Sequence, residues 1–361
     1  MRVLQVTPNF APHVGGVETH VREVSERLNR SGIETHVLTA DPLHVLPAEE
    51  IISGITVRRS RAYPRGRDWM LSPTLPRMIR AASWDLVHVQ SYHTLFAPTA
   101  MAAAARAGIP YVVTFHSGGS SSPLRTRVRR TQMRALSPLL RRAHALVAVS
   151  DFERSTYAEL IGVGSERIVK IPNGASLPEG LEPIAADGTL IVSIGRLEPY
   201  KGHERVIAGL PGVLERVPDA RLWIAGEGPD EPRLRRLTSE LGVADLVEIR
   251  AVDRAQLARR LMGASLVVLL SDFEAHPLAV IEAASLGVPV LVGDNSGMRE
   301  LAVSGFARAV DVRSSPREHA LAMVETMAWS APADLRVPTW DDCAGALASL
   351  YRAIIADQPA A

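Results

Sequence analysis

Two glutamates, Glu274 and Glu282, stand eight residues apart in the stretch SDFEAHPLAVIEAASLGVP, residues 271–289. An apolar run at 264–270 reads as a buried strand that stops at Ser271-Asp272, and a helix pattern follows over about 277–285, closed by Gly287 and Pro289. At about 100° per residue, eight steps bring a side chain back to within about 80° of the same face. A helix start also offers free N–H groups to an anion. One carboxylate at the mouth, one just inside the helix and an anion-binding helix start together suit a phosphorylated polyhydroxy ligand. On its own such a pair is more commonly a capping glutamate plus a solvated helix glutamate, so the rest of the chain has to decide.

Two cations bear on that choice. Arg196 and Lys201 follow the strand that opens the second half, in SIGRLEPYKG. At a strand's C-terminal end, near glycines, they suit a diphosphate. The chain has no Asp-x-Asp-like metal signal, so they could neutralise a leaving diphosphate in place of a divalent cation. Surface cations are the equal alternative. The chain carries 38 arginines but only two lysines, Lys170 and Lys201, which suggests a need for a compact ammonium at 201.

Gly15-Gly16 follows the first strand and opens the first helix, where glycines let a backbone approach a phosphate; a plain turn fits as well. His116 ends a strand in TFHSGG, a position that belongs to a ligand cleft more often than to a core. His88 lies mid-strand and reads as a satisfied interior residue. His20, on the first helix, reads as exposed, and His93 is undistinctive.

The elements that must position these residues alternate. Strands are expected at 3–7, 35–39, 86–90, 111–115, 146–150 and 168–171, with helices at 17–29 and 99–107. After a linker at 177–188, LPEGLEPIAADG, strands at 190–194, 220–225, 246–250, 266–270 and 288–292 alternate with helices ending at 214 and spanning 231–241, 254–262 and 298–302. The pattern is that of an α/β fold with parallel sheets: two Rossmann-like domains, 1–178 and 179–339, facing each other across a central cleft. Ligands in such sheets bind beyond the C-terminal strand ends. A final amphipathic helix at 340–355, within a segment 340–361, is expected to brace one domain against the other.

With 361 residues, 47% hydrophobic and 22% charged, the composition is that of a soluble globular protein. The lone Cys343 excludes an internal disulfide and a multi-cysteine metal site. The short apolar start MRVLQV and the lack of an 18-residue apolar run lead us to expect a cytoplasmic protein. Charge is lopsided: residues 1–180 hold 22 Lys and Arg against 14 Asp and Glu, and residues 181–361 hold 18 against 25. The basic excess is densest around 125–142, RTRVRRTQMRALSPLLRR. Such a patch can face anionic lipid, a phosphorylated acceptor or nucleic acid, or can simply be a solvated surface.

Seven short motifs in order carry a resemblance that runs over nearly the whole chain. They are Gly15-Gly16-Val17-Glu18-Thr19-His20, Thr114-Phe115-His116, Ser150-Asp151-Phe152, and Ile171-Pro172-Asn173-Gly174. Then come Gly195-Arg196-Leu197 with Lys201-Gly202, Gly226-Glu227-Gly228-Pro229, and the stretch from Glu274 to Pro289. In these the chain resembles a GT-B glycosyltransferase of the retaining group numbered family 4.

The resemblance implies a nucleotide-diphosphate-sugar donor held mostly by the second domain, a hydroxyl acceptor that could be lipid-linked at an anionic membrane surface, and no nucleic-acid partner. Glu274 would bind donor-sugar hydroxyls and Glu282 the ribose. Arg196 and Lys201 would hold the diphosphate with Gly15, Gly16 and the helix start at Pro277, Leu278 and Ala279, and Glu227 would join the donor site. His116 would face the transferred sugar; His20 and Asn9 would lie on the acceptor side. It also implies retention by front-face attack, with no metal and no cofactor. His276 departs from the aromatic or apolar residue usual two after the first glutamate, and residues 247–253 lack a customary glycine near the base; both bear on donor identity. Residues 302–312 also match poorly. A GT-B sugar-nucleotide epimerase and a non-catalytic nucleotide-sugar-binding protein are the alternatives. A nicotinamide dehydrogenase is disfavoured, because no glycine fingerprint follows a strand.

Overall fold

The computed structural model describes residues 1–13, 15–65, 70–116, 123–176 and 180–358, with side chains omitted for 123–129. The described chain forms two compact units. The first is built from the chain up to Gly174 and again from Thr339 onward, and the second from Ala175–Pro338. The second unit is therefore an insertion in the first. The expected junction after residue 178 and the start of the expected linker lie outside the described residues, as do the two glycines after His116.

The first unit opens with β1 (Arg2–Thr7), α1 (Gly16–Arg30), β2 (Glu34–Asp41), β3 (Glu49–Ile52) and β4 (Ile55–Arg61). It continues through α2 (Leu75–Arg80), β5 (Leu86–Gln90), α3 (Phe96–Arg106) and β6 (Tyr111–Thr114). Next come α4 (Pro123–Arg141), β7 (Ala145–Ala148), α5 (Asp151–Ile161) and β8 (Ile168–Lys170). The strands pair in the order β3-β4-β2-β1-β5-β6-β7-β8, all parallel except the β3–β4 hairpin. Strands β5, β6 and β7 are buried at every position, as expected where helices cover both faces of a parallel sheet. The β3–β4 hairpin and α4 have no counterpart in the sequence reading. In β4 the arginines interrupt the apolar run, and in α4 they mask the helical period.

The second unit holds β9 (Thr189–Ile194), α6 (His203–Leu214), β10 (Ala220–Ala225), α7 (Glu231–Glu240), β11 (Val247–Ile249) and α8 (Arg254–Leu261). It ends with β12 (Leu266–Leu269), α9 (Leu278–Ser285), β13 (Val290–Gly293), α10 (Ser296–Val303), β14 (Arg308–Val310) and α11 (Pro316–Met327). Its sheet is wholly parallel, in the order β11-β10-β9-β12-β13-β14. The expected linker is not free: Ile184 N–H donates to the Arg259 carbonyl at 2.9 Å, which ties it to α8.

The last helix, α12 (Trp340–Ala356), belongs to the first unit and packs on α1. Thr339 starts it with a capping box: its Oγ1 accepts from the Asp342 N–H at 3.1 Å, and Asp342 Oδ2 accepts from the Thr339 N–H at 3.1 Å. Trp340, Leu347 and Tyr351 are fully buried. No helix among the described residues is long and apolar enough to cross a membrane.

Candidate active site

In each sheet the strand order reverses at its middle, between β1 and β5 in the first unit and between β9 and β12 in the second. Loops leaving neighbouring strands at such a point diverge to opposite faces and open a crevice at the C-terminal strand ends. In the second unit those loops carry Lys201, after β9, and Glu274, after β12. Lys201 Nζ donates to Glu274 Oε1 at 2.5 Å, and Ser271 Oγ donates to the same oxygen at 3.1 Å. The two side chains are 16% and 12% exposed. Burial pulls the Lys201 ammonium pKa down, but the adjacent Glu274 charge outweighs it and holds the pKa above its ordinary value.

Three supports fix this pair. Gly202 has φ of 69°, and a Cβ there would lie 2.0 Å from the Leu270 carbonyl, so only glycine lets the Lys201 turn sit against the end of β12. Arg205 donates to the Leu270 carbonyl at 2.7 Å and to Asp272 Oδ1 at 2.6 Å. On the far side, Glu274 N–H donates to Ser296 Oγ at 3.0 Å, and Gly297 N–H donates to the Glu274 carbonyl at 2.9 Å. Asn295 Nδ2 donates to the Ser271 carbonyl at 3.0 Å. Sequence reading missed Arg205, Ser271, Asn295 and Ser296 as site supports. The expected helix start at 298 fell two residues late, and the Asn-Ser-Gly turn was the signal that it began earlier.

Glu282 lies elsewhere on the same helix segment and has a different cation. Glu274 precedes α9 in a turn, so the helical face argument does not apply to the two glutamates. Glu282 is buried, and its Oε1 accepts from Arg254 Nη2 at 2.8 Å; the same guanidinium nitrogen donates to the Ser176 carbonyl at 2.5 Å. Arg254 starts α8, whose N-cap is Asp253, in the stretch that departs from the family pattern. That departure was the only sequence hint of its role.

Arg196 has partners of its own. Its side chain is 66% exposed, with Nη1 on Glu198 at 2.6 Å and Nη2 donating to the Tyr200 hydroxyl at 3.0 Å. Glu227 is exposed, and its carbonyl accepts from Leu197 N–H at 2.9 Å, joining the Gly226–Pro229 turn to the Arg196 turn. His276, Leu278 and Ala279 are half-buried and Pro277 is buried. Pro277 is the N-cap of α9, and no side chain caps that helix start. His203, unremarked in the sequence, is buried beneath the Arg196 turn, with Nδ1 against Ser193 Oγ at 2.9 Å and Nε2 against the Arg196 carbonyl at 3.3 Å. Burial lowers its pKa to about 4.

In the first unit His116 follows β6 and is buried at its end. Its φ of 45° is a left-handed conformation that costs a non-glycine residue about 1 kcal/mol. Its Nε2 lies 2.7 Å from Gln90 Oε1, and its ring is edge-on to the His20 ring at 4.5 Å between centroids. His20 is therefore buried, not exposed as expected: α1 turns it inward, where Nδ1 meets Asn173 Oδ1 at 2.9 Å and the ring packs on Trp340. Burial lowers the His20 pKa to about 4, and desolvation, with His20, His88 and His93 nearby, holds His116 well below the usual histidine value. His88 is the satisfied interior residue expected, between the Tyr351 hydroxyl at 2.6 Å and Thr114 Oγ1 at 2.7 Å.

The Asn9 carbonyl accepts from Thr7 Oγ1 at 2.9 Å in the loop after β1. Gly15 is the N-cap of α1, and a Cβ on Gly16 would meet nothing within 4 Å, so internal packing does not demand glycine at 16. Clefts of about 410 Å³ beside Arg80 and Arg106 and about 370 Å³ beside Trp223 contain none of these candidates.

Two parallel, doubly wound units of this kind define the GT-B fold. The structure superposes on sucrose-phosphate synthase from Thermosynechococcus elongatus with a TM-score of 0.80 at 19% identity, over 99% of this chain and 100% of that one. It superposes on Anabaena Alr3699/HepE in complex with UDP-glucose with a TM-score of 0.69 at 19% identity, over 98% of each chain. Residues 14–177 match Glycosyltransferase Family 4, and residues 182–327 match Glycosyl transferases group 1. A D-inositol 3-phosphate glycosyltransferase of Nocardiopsis dassonvillei is 27% identical over 95% of this chain and 90% of that protein. The chain belongs to the family 4, group 1 glycosyltransferases, and it is a transferase of glycosyl groups.

Proposed function

We propose that the protein transfers a sugar from a nucleoside-diphosphate sugar to a hydroxyl acceptor with retention of anomeric configuration and without a metal. The observation that carries the reading is the half-buried Lys201–Glu274 pair at the reversal point of the second sheet. An ammonium has three donors, so Lys201 can hold a phosphate oxygen while keeping Glu274. Glu274 can accept from sugar hydroxyls, and Glu282, oriented by Arg254, from ribose hydroxyls. The uncapped N–H groups at Leu278 and Ala279 and the exposed Arg196 supply further anion contacts.

In the transfer itself the acceptor oxygen bonds to the anomeric carbon as the bond to the diphosphate oxygen breaks. The acceptor's proton passes to the leaving phosphate oxygen on the same face. Lys201 offsets the charge that develops there. His116, held neutral, faces the transferred sugar. That Anabaena Alr3699/HepE was solved with UDP-glucose supports a nucleotide-sugar donor here.

A panel of nucleotide sugars scored for slow donor hydrolysis tests this without knowledge of the acceptor. Hydrolysis of one or a few donors is expected. If no donor is hydrolysed and none raises the melting temperature, the reading fails. Release of an epimerised donor would instead point to the epimerase.

The excess of positive charge in residues 1–180 supports an acceptor at an anionic membrane surface. Salt-sensitive binding to vesicles containing anionic lipid is expected, and binding indifferent to salt and lipid charge would remove that partner.

A further inference from the structure

A chain of buried polar side chains runs from His116 to the last helix. His116 Nε2 meets Gln90 Oε1 at 2.7 Å, and Gln90 Nε2 donates to Gln5 Oε1 at 2.7 Å. Gln5 Nε2 donates to the Tyr351 hydroxyl at 3.3 Å, and that hydroxyl meets His88 Nδ1 at 2.6 Å. His88 Nε2 closes the chain on Thr114 Oγ1 at 2.7 Å. Gln5, His88, Gln90, Thr114 and Tyr351 are all fully buried. They come from β1, β5, β6 and α12, which no contiguous motif unites.

Donor and acceptor counting gives this chain a direction. A buried amide nitrogen has two hydrogens to satisfy, whereas its oxygen is content with one donor. Gln90 Nε2 has two acceptors in reach, Gln5 Oε1 and His88 Nδ1, the latter at 3.3 Å; Gln90 Oε1 has His116. Turning the Gln90 amide over would set its oxygen against Gln5 Oε1, two acceptors 2.7 Å apart with no hydrogen between them. With Gln90 Oε1 accepting, the hydrogen on that contact belongs to His116 Nε2, and the Tyr351 hydroxyl donates to His88 Nδ1.

We propose that Gln90, braced through Gln5 by Tyr351, is a positioning residue that fixes His116 as the Nε2–H tautomer. His116 is thereby left with an Nδ1 lone pair that accepts a hydrogen bond from a hydroxyl of the transferred sugar. The inference rests on the reading that His116 faces that sugar. A histidine so held is a selector: it rewards a hydroxyl donor at one position and offers nothing to an acceptor there. The titratable groups facing His116 are His20 on α1, His88 on β5 and His93 just beyond it. All are histidines whose own protonation would oppose a charge on His116.

Long-range nitrogen–proton NMR of the imidazoles, with His116 assigned through His116→Asn, reads the tautomer in the intact protein. The expected spectrum shows protonated Nε2 and bare Nδ1 from about pH 6 to 9. Gln90→Glu places a carboxylate on Nε2 and favours the imidazolium, which has no lone pair to offer. Donor hydrolysis by Gln90→Glu is expected to fall roughly tenfold to a hundredfold near pH 6 and to recover as the pH rises, while the wild type shows no such recovery.

A proton on Nδ1 in the wild type would overturn the proposal, and the wild-type spectrum decides this even if the variant does not fold. A wild-type pH profile in folded Gln90→Glu would overturn it as well. Wild-type turnover in His116→Ala would instead defeat the sugar-facing reading beneath it, with the spectrum still reporting the tautomer.

Discussion

Lys201 and Glu274 lie 73 residues apart in the chain and 2.5 Å apart in the fold, brought together by the adjacency of β9 and β12. Neither charge is buried without the other, so each residue has a structural as well as a chemical consequence. Removing one leaves the other in a poorly solvated site, at a cost of about 1–3 kcal/mol or more.

Lys201→Ala should therefore reduce donor hydrolysis by roughly 10²-fold or more, through loss of leaving-group stabilisation. It should also lower the melting temperature. Lys201→Ala/Glu274→Ala should recover part of that stability, because no carboxylate is left stranded, but none of the turnover. Turnover near wild type in either variant would take the pair out of the reaction.

Glu282→Ala should weaken nucleotide binding by about 1–3 kcal/mol through lost hydroxyl hydrogen bonds. Arg254→Ala should weaken it too, since the guanidinium holds the carboxylate in place. Calorimetric titration with nucleoside diphosphates reads both, and unchanged affinity in Glu282→Ala contradicts the ribose role.

Tyr351→Phe deletes one oxygen from the interior, leaves Gln5 Nε2 short of an acceptor and takes from His88 Nδ1 its 2.6 Å contact. A loss of about 1–3 kcal/mol in urea unfolding is expected. A neutral effect would mean that the hydroxyl is dispensable to the buried chain.

Acid should destabilise the protein through its buried histidines. Their pKa values fall to about 4 for His20 and His203 and about 3 for His88, from an ordinary 6.5, with burial the main cause in each. Below 6.5 the unfolded chain binds protons that the folded chain does not. The stability held by the neutral histidines is therefore complete above 6.5 and is lost as the pH falls toward 4. Each contributes roughly 1.4 kcal/mol per pH unit within that window. Urea midpoints at pH 7.5 and pH 5 should differ accordingly, and equal midpoints would show that these side chains are not sequestered.

The α/β class and most central strands were legible because buried parallel strands are unbroken apolar runs: β5 and β10 fall on the expected residues. The Lys201 and Glu274 loops were legible too, since a glycine, a charge and a strand end coincide there. Partnership was not. Nothing local says that Glu274 meets Lys201 while Glu282 meets Arg254, because strand order, not spacing, makes those pairs. His20 looked solvent-facing because a helical period does not say which stripe faces the sheet. Gln5 and Gln90 carried no signal, since a polar residue inside a strand marks a partner without naming it.

The first unit is not complete at Gly174. Its core includes Trp340 and Tyr351, and a Cβ on Gly174 would collide with the Trp340 nitrogen at 2.1 Å, so the outgoing and returning strands of the chain pass side by side. During synthesis, residues 1–174 must wait for the whole of Ala175–Pro338 to be made before α12 can close over them. Until then the apolar surface that α12 covers stays open, and the first unit cannot be completed before the second has been made.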